Sequence, residues 1–200
     1  MTMWRVFPGF LWGLCLALHS GCAIRSTAPP QLLVLTALVA PAVVNDTSPG
    51  VVVGPISLPA YADRAQFLIL KGDSEMVGAE NARWVEPLAQ NFSRVLVEDL
   101  SRRLATGRIT SLGAAAAADS LQIALEVTDF VTTQTGEARL TVYWRILSVD
   151  GRQVLASHKS SYSESVAGND YPAWAAAMSR MLAALSADLA SAIRQAATRP

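Results

Sequence analysis

The thiol of Cys22 is the strongest candidate for covalent chemistry in this sequence of 200 residues. It follows Arg5, an almost unbroken apolar run from Val6 to Leu18, and the tripeptide His-Ser-Gly at positions 19–21. One positive charge, a short apolar segment and small residues before a cleavage point are typical of an export signal. Because the apolar run is well short of the ~20 residues that span a bilayer, an uncleaved membrane anchor is the weakest interpretation.

This arrangement resembles a bacterial lipoprotein signal peptide, in which the cysteine becomes the acylated N-terminus of the mature chain. His19 departs from that pattern, because a Leu is usual three residues before the cysteine and here lies one position earlier. The resemblance implies a signal peptide at 1–21, lipidation of Cys22 and a lipidated tether at 22–30. Ala23 stands where an Asp would signal inner-membrane retention, so we expect the periplasmic face of the outer membrane. The alternative is an ordinary secretory signal that leaves Cys22 as a free thiol.

His158 is the one histidine that follows Cys22, and no further cysteine follows it. It lies in an alternating segment beside Ala156 and Ser160 with no identified acidic partner, which favours a structural or solvent-facing role over Ser–His catalysis. The sequence has no Gly-x-Ser-x-Gly motif and no Gly-rich phosphate loop. We therefore expect no catalytic residue, no cofactor and no metal site.

Carboxylate pairs offer another route to acid–base chemistry, namely Glu80 with Glu86 and Glu98 with Asp99. Both pairs lie in a segment that is rich in arginine and has helical spacing, so surface ion pairs are the preferred interpretation. The whole chain has 16 basic and 16 acidic residues and a formal net charge of zero. This balance argues against nucleic-acid binding, and it leaves a lipid anchor as the means of membrane attachment.

The elements that must position these residues include several strands. Continuous apolar runs predict buried strands, and strict alternation predicts strands with one face on the core. The last three predicted strands form an antiparallel meander, with Asp150-Gly151 as a short hairpin turn. The predicted strands are 32–35 (covered on both faces), 51–53 (ended by Pro55 or Pro59), 67–70, 109–112, 121–128, 140–147 and 153–162.

Apolar residues three or four positions apart predict two long amphipathic helices. The first runs from Asn81 to about Ala105 and carries Trp84 on its apolar face, while the alanine run at 114–118 is expected to be a loop. The second begins at a cap formed by Asn169 or Asp170, reaches about Gln195 and buries Trp174. We predict one domain of α/β or α+β type at 31–200, in which the helices pack on a mixed sheet that contains the meander.

Two motifs carry a resemblance to a known family. Residues 51–66 read VVVGPISLPAYADRAQ, and residues 80–88 read ENARWVEPL. In this order, behind the Cys22 signal, they resemble the ABC-type transport auxiliary lipoprotein family of PqiC-like lipoproteins. The family's motifs usually have Leu, Pro and Ala where this sequence has Ala62, Ala65 and Val85, so the departures concern local packing.

The resemblance implies an outer-membrane-anchored lipoprotein subunit of an MCE/ABC-type intermembrane lipid transport system. Such a subunit would dock or assemble in the periplasm with an MCE-domain transport protein and would not be an enzyme. Two alternatives remain open: an envelope scaffold lipoprotein of a secretion or assembly apparatus, and a periplasmic hydrolase with a site around His158 or a carboxylate. Self-association into a homo-oligomer is also left open.

A short segment between two predicted strands is the candidate partner-facing loop. Proline and tyrosine are rigid or aromatic groups that often anchor interfaces, and an adjacent charge pair can set orientation. The alternative is that the charge pair only braces the loop against the helix expected to begin near Arg83. The candidate residues are Leu58, Pro59, Tyr61, Asp63 and Arg64.

Overall fold

The computed structural model describes residues 29–46, 48–115, 117–148, 150–166 and 170–198. The proposed signal peptide, Cys22 and most of the tether therefore lie outside the described residues, as does Asn169. Within the described part, the chain forms a mixed α/β domain of eight strands and two helices. In chain order they are β1 (Gln31–Leu33), β2 (Val51–Ser57), β3 (Gln66–Lys71), β4 (Glu75–Trp84), α1 (Leu88–Leu104), β5 (Ile109–Ser111), β6 (Leu121–Thr133), β7 (Glu137–Leu147), β8 (Val154–Ser165) and α2 (Tyr171–Ala197).

The sheet is organised around the long strand β6. The antiparallel meander β6–β7–β8 occupies one side, as the alternating sequence predicts. On the other side, β2 pairs in parallel with the first half of β6 and β3 pairs in parallel with its end. β4 and then β1 extend the sheet beyond β3, and β5 lies beside β2. The predicted mixed sheet is therefore confirmed.

Both helices pack on one face of this sheet, and the main core lies between the layers. In β7, every second residue from Ala138 to Ile146 is buried, while Tyr143 and Arg145 on the opposite face are exposed. The two helices also contact each other, with Arg103 Nε donating a hydrogen bond to Ser186 Oγ at 2.8 Å. An alternating strand with one face on a helical layer is the expected way to bury such a pattern.

α2 confirms the predicted terminal helix and begins directly after Asp170. Among the described residues, it is the one helix long and apolar enough to cross a bilayer. Its apolar side is instead buried against the sheet and α1, and 56% of its most apolar window is buried within the domain. Trp174, Met181, Leu182 and Leu185 lie on this buried side. The hydropathy of α2 is therefore that of a core helix.

The predicted start of the first helix is wrong. Residues 75–84 form β4, a strand that pairs with β3 through a hairpin, and α1 begins only after Pro87. Trp84 is buried as expected, but it projects from a strand. Proline disfavours helical geometry at the residue before it, so the helix cannot readily extend backward through Glu86. The four-residue spacing from Trp84 to Leu88 therefore resembles a helical period by coincidence, because Trp84 ends β4 and Leu88 begins α1.

One other strand prediction needs correction. The run at 32–35 is not covered on both faces, because Leu33 and Leu35 are buried whereas Leu32 and Val34 are exposed. β1 lies at the edge of the sheet, where helices cover only one of its faces. For the strand that begins at Val51, the later of the two predicted ends agrees with the structure, because β2 continues through Pro55 to Ser57 and stops before Pro59. No ladder pair includes Pro55, so its missing N–H breaks no strand pairing.

Candidate functional site

The candidate loop fills the interval between β2 and β3, which lie end to end along the same side of β6. β2 pairs as far as Glu126 of β6, and β3 resumes pairing at Thr132. The loop folds on itself through hydrogen bonds to Pro59 O from the Ala62 N–H at 2.8 Å and the Asp63 N–H at 3.3 Å. The position of the loop is thus set by an interruption in the pairing of β6.

Tyr61 fastens the loop to residues 129–130 of β6, which pair with β7 on one edge but with neither β2 nor β3 on the other. Its hydroxyl donates a hydrogen bond to Asp129 Oδ1 at 3.1 Å and accepts one from the Phe130 N–H at 3.2 Å. The other oxygen of Asp129 accepts a hydrogen bond from Arg139 Nε at 3.3 Å. Burial, aided by the negative charge of Asp129, raises the pKa of Tyr61 from about 10 to about 12. Tyr61 is therefore an internal anchor of the loop.

Replacing Tyr61 by Phe should lower the free energy of unfolding by about 1–2 kcal/mol, because both hydrogen bonds are lost and their partners remain. The raised pKa means that the folded state holds the phenolic proton more tightly than the unfolded state. The stability that comes from this tighter proton binding at Tyr61 is fully present below pH 10 and is lost as the pH rises from about 10 to about 12. Urea unfolding at pH 8 and at alkaline pH would measure both effects.

The Tyr61→Phe variant should show a smaller alkaline loss of stability than the parent chain. Some alkaline loss of stability remains in both proteins. It comes from Tyr162, because burial and its hydrogen bond to Asp188 also raise its pKa. Tyr143 on the exposed sheet face offers a control for loss of a phenolic hydroxyl, and Tyr143→Phe should change stability at pH 8 little. Equal alkaline losses in Tyr61→Phe and the parent would contradict the assigned role of Tyr61.

The remaining candidate loop residues divide into supporting and exposed groups. Leu58 is partly buried and packs against the core, and Pro59 supplies the carbonyl that closes the turn. Asp63 and Arg64 are exposed, and neither forms a salt bridge with any described residue. The bracing alternative also loses its geometric basis, because Arg83 lies on β4 and no helix begins there.

A second polar arrangement, which the sequence interpretation missed, fixes the N-terminal part of the domain. The extended segment at residues 34–46, here called the strap, follows β1 and lies along α1. Asn91 accepts a hydrogen bond from the Leu35 N–H at 2.6 Å and returns one to Leu35 O at 3.2 Å. These reciprocal bonds satisfy the strap backbone as a neighbouring strand would.

Asp99, eight residues after Asn91 on α1, also binds the strap backbone. Its Oδ1 atom accepts hydrogen bonds from the N–H groups of Leu38 and Val39, both at 3.0 Å. Arg102 Nη1 donates to Val39 O at 2.6 Å. Asp99 is fully buried, so its expected role in a surface ion pair is wrong. Glu98 does form the expected surface pair, with Arg102.

A sequence signal for this attachment does exist. Asn91 and Asp99 are eight residues apart and fall among Leu88, Phe92 and Leu96 on the buried side of α1. Polar residues inside an apolar helical stripe need partners when they are buried. Here the partners are main-chain groups of the strap, whose sequence carries no strong strand pattern.

In the groove around His158, no hydrogen bond among the described residues joins the histidine to a serine or a carboxylate. His158, Ser160 and Asp188 line the same groove between β8 and α2. The Ser160 hydroxyl accepts a hydrogen bond from Trp144 Nε1 at 3.1 Å, and Asp188 accepts one from Tyr162. The His158 ring instead packs 4.9 Å from that of Trp144. Ser160 and Asp188 are therefore hydrogen-bonded to Trp144 and Tyr162 rather than to His158.

The carboxylates also remain dispersed. Glu80 projects from β4, while Glu86 accepts a hydrogen bond from Arg94 Nη2 at 2.9 Å. Across the described ranges, no group of three or more His, Cys, Asp or Glu side chains is placed to hold a metal ion. The polar residues described above thus form structural attachments and exposed surfaces.

Comparison with solved structures identifies the same fold elsewhere. Protein XCC0632 from Xanthomonas campestris, assigned to the DUF330 family, matches with a TM-score of 0.69 at 17% identity, over 84% of this chain and 99% of that chain. A crystal structure of an uncharacterized protein matches with a TM-score of 0.68 at 18% identity, over 83% and 99%. At these identities the likeness concerns the fold alone.

No curated protein matches the chain in sequence. A family model, however, matches residues 33–190, which include the loop, the strap, α1, all strands after β1 and α2 as far as Ala190. Its description is the ABC-type transport auxiliary lipoprotein component. The match extends over most of the sequence and includes both motifs that carried the resemblance. The chain belongs to the ABC-type transport auxiliary lipoprotein family.

Proposed function

We propose that this protein is the lipid-anchored subunit of an MCE/ABC-type intermembrane lipid transport system. It would sit on the periplasmic face of the outer membrane and dock an MCE-domain transport protein. The observation that carries the proposal is the family match over residues 33–190, preceded by the export-like segment and Cys22. The family supplies the link to a transporter, and the cysteine supplies the means of attachment.

The strap supports this proposal because it gives the anchor a firm connection to the domain. Asn91 and Asp99 accept hydrogen bonds from backbone N–H groups between Leu35 and Val39, and Arg102 donates one to Val39 O. A pull on the lipidated tether would therefore be resisted by α1 as well as by β1. Such rigidity favours docking, because a pre-ordered domain loses less conformational freedom when a partner binds.

The candidate loop supports a contact with the partner. Tyr61 holds the loop against β6, while Asp63 and Arg64 remain exposed without a salt bridge to any described residue. A rigid base that presents charged groups suits recognition, because few degrees of freedom are lost on binding. We propose that this charge pair contacts the MCE-domain partner.

Co-purification from cell envelopes tests the proposal. The acylated protein, extracted in mild detergent, is expected to retain an MCE-domain protein that mass spectrometry identifies. Replacing Asp63 and Arg64 together by Ala should reduce this recovery, whereas the same change at Lys71 and Glu75, an exposed pair in the β3–β4 hairpin, should not. Recovery of a secretion or assembly apparatus without any MCE protein would contradict the proposal and support the scaffold alternative.

A further inference from the structure

An exposed apolar row lies on β1 and at the end of β4, close to the point where the tether joins the domain. Leu32 is 64% exposed, Val85 is 58% exposed and Val34 is also exposed. Arg83 is exposed beside them. These four residues, Leu32, Val34, Arg83 and Val85, are called the β1 patch.

The strand register places the four side chains on one face. β1 and β4 run in parallel, with Leu32 opposite Arg83 and Leu33 opposite Trp84. The Val85 N–H donates to Leu33 O at 2.9 Å, so the pairing continues one residue further. Because successive side chains alternate between faces, the buried residues Leu33 and Trp84 leave the β1 patch on the opposite, uncovered face.

The chain outside the described residues connects this patch to the proposed lipid site. Gln31 is nine residues after Cys22. An extended chain spans at most about 3.6 Å per residue, which limits this distance to about 30 Å. The anchored domain would thus stay close to the bilayer surface, and Leu32 is the next residue after the start of β1.

The charge of the β1 patch fits a phospholipid surface. Arg83 forms no salt bridge with any described residue, which leaves its guanidinium free to donate hydrogen bonds to lipid phosphates. The exposed carboxylates of β4 are Glu75, which pairs with Lys71, and Glu80. Asp63 of the candidate loop is also exposed, with Arg64 next to it. Apolar side chains flanked by arginine are typical of surfaces that enter the bilayer interface.

We propose that the β1 patch is a second membrane contact, which lays this face of the domain on the bilayer that holds the acylated Cys22. This inference rests on the proposed function, because it requires the lipid anchor. The apolar side chains enter the headgroup region and Arg83 binds phosphate. The candidate loop adjoins this face through Ala65, whose carbonyl accepts a hydrogen bond from the Trp84 N–H at 2.8 Å. A partner bound at the loop would consequently meet the membrane surface.

A fluorescent probe at position 32 tests the contact in the full-length, acylated protein. Leu32→Cys supplies a thiol for an environment-sensitive fluorophore, because the acylated Cys22 is blocked. The matched control is Leu112→Cys, which is similarly exposed at 55% but follows β5 at the other end of the strand order. Both labelled proteins are reconstituted in vesicles of phosphatidylcholine and phosphatidylglycerol.

The probe at position 32 is expected to show a blue shift and stronger emission, and a lipid-attached quencher should reduce that emission. The probe at position 112 should show neither change. Adding Arg83→Glu should weaken the response at position 32 while acylation persists. A response that follows protein density and resists the lipid quencher would indicate a second copy on the patch and would overturn the inference.

The same samples separate this inference from the proposed function on which it rests. Intact-protein mass spectrometry reports acylation of Cys22 independently of the probe. An acylated protein whose probe at position 32 behaves like the control at position 112 would overturn the β1-patch contact alone. A protein without acyl chains would overturn both the anchor and the contact.

Discussion

Replacement of Trp174 by Ala is expected to lower the free energy of unfolding by about 3–5 kcal/mol, the largest single effect we predict. Trp174 is 1% exposed, and its ring stacks on Phe67 of β3 with centroids 5.8 Å apart. Tyr171 packs edge-on at 5.8 Å, and Phe67 in turn contacts Trp84 of β4 at 5.3 Å. The substitution would leave a cavity where α2 meets the β3–β4 hairpin. Urea or thermal unfolding measures the loss.

Trp174→Phe sharpens the test of this cluster. The indole N–H of Trp174 is buried and has no hydrogen-bond partner among the described residues, so removing it sacrifices no bond. We expect Phe to retain most of the aromatic packing and to cost much less than Ala. Tyr143→Ala, on the exposed sheet face, serves as the control and should change stability little. Equal losses for Trp174→Phe and Trp174→Ala would contradict the account.

Replacement of Asp99 by Ala is expected to cost about 2–3 kcal/mol, because two strap N–H groups lose their acceptor. Both donors, on Leu38 and Val39, bond the same carboxylate oxygen at 3.0 Å. The amide hydrogens of these two residues should also exchange with solvent faster, since local opening of the strap becomes easier. Chemical unfolding gives the first quantity, and hydrogen exchange gives the second.

Asp99→Asn and Glu98→Ala provide the comparison for the strap. The asparagine oxygen can still accept both strap N–H groups, so slow exchange at Leu38 and Val39 should persist. Glu98 is adjacent in sequence but exposed, and loss of its pair with Arg102 should cost at most about 1 kcal/mol. Two results would show that another contact fixes the strap. One is fast exchange at Leu38 and Val39 in Asp99→Asn, and the other is exchange at the parent rate in Asp99→Ala.

The sequence was sufficient to predict the elements whose pattern reflects burial on one face. Alternation in β6 and β7 predicts the meander, and the apolar stripe of α2 predicts both its length and the burial of Trp174. These patterns follow directly from the two-residue period of strands and the 3.6-residue period of helices. Local periodicity therefore carries the central part of this fold.

Local sequence patterns could not predict the elements whose structure depends on residues distant in sequence. The polar residues of β4 show no clear alternation, and pairing with β3 rather than propensity makes this segment a strand. The strap likewise depends on Asn91 and Asp99 of α1, more than 50 residues away in sequence. The extension of β2 through Pro55 depends on gaps in its two ladders.

The partner-facing role of the candidate loop stays a prediction. Proline and tyrosine marked the loop between β2 and β3, but they could not distinguish an internal anchor from an exposed contact. Tyr61 proves to bond Asp129 and Phe130, which no spacing rule connects to it. Asp63 and Arg64 are the exposed candidates that remain. The lipidation of Cys22 stays a prediction on which both proposals depend.

Metabolic labelling with radioactive palmitate in the parent and in Cys22→Ser therefore tests the central claim, that Cys22 anchors this domain to the membrane. We expect the parent protein to be labelled and to sediment with membranes. Cys22→Ser should carry no label and should leave the membrane fraction, while its domain keeps the far-UV circular dichroism of the parent. A parent protein that remains unlabelled, or equal labelling of the two proteins, would contradict the claim.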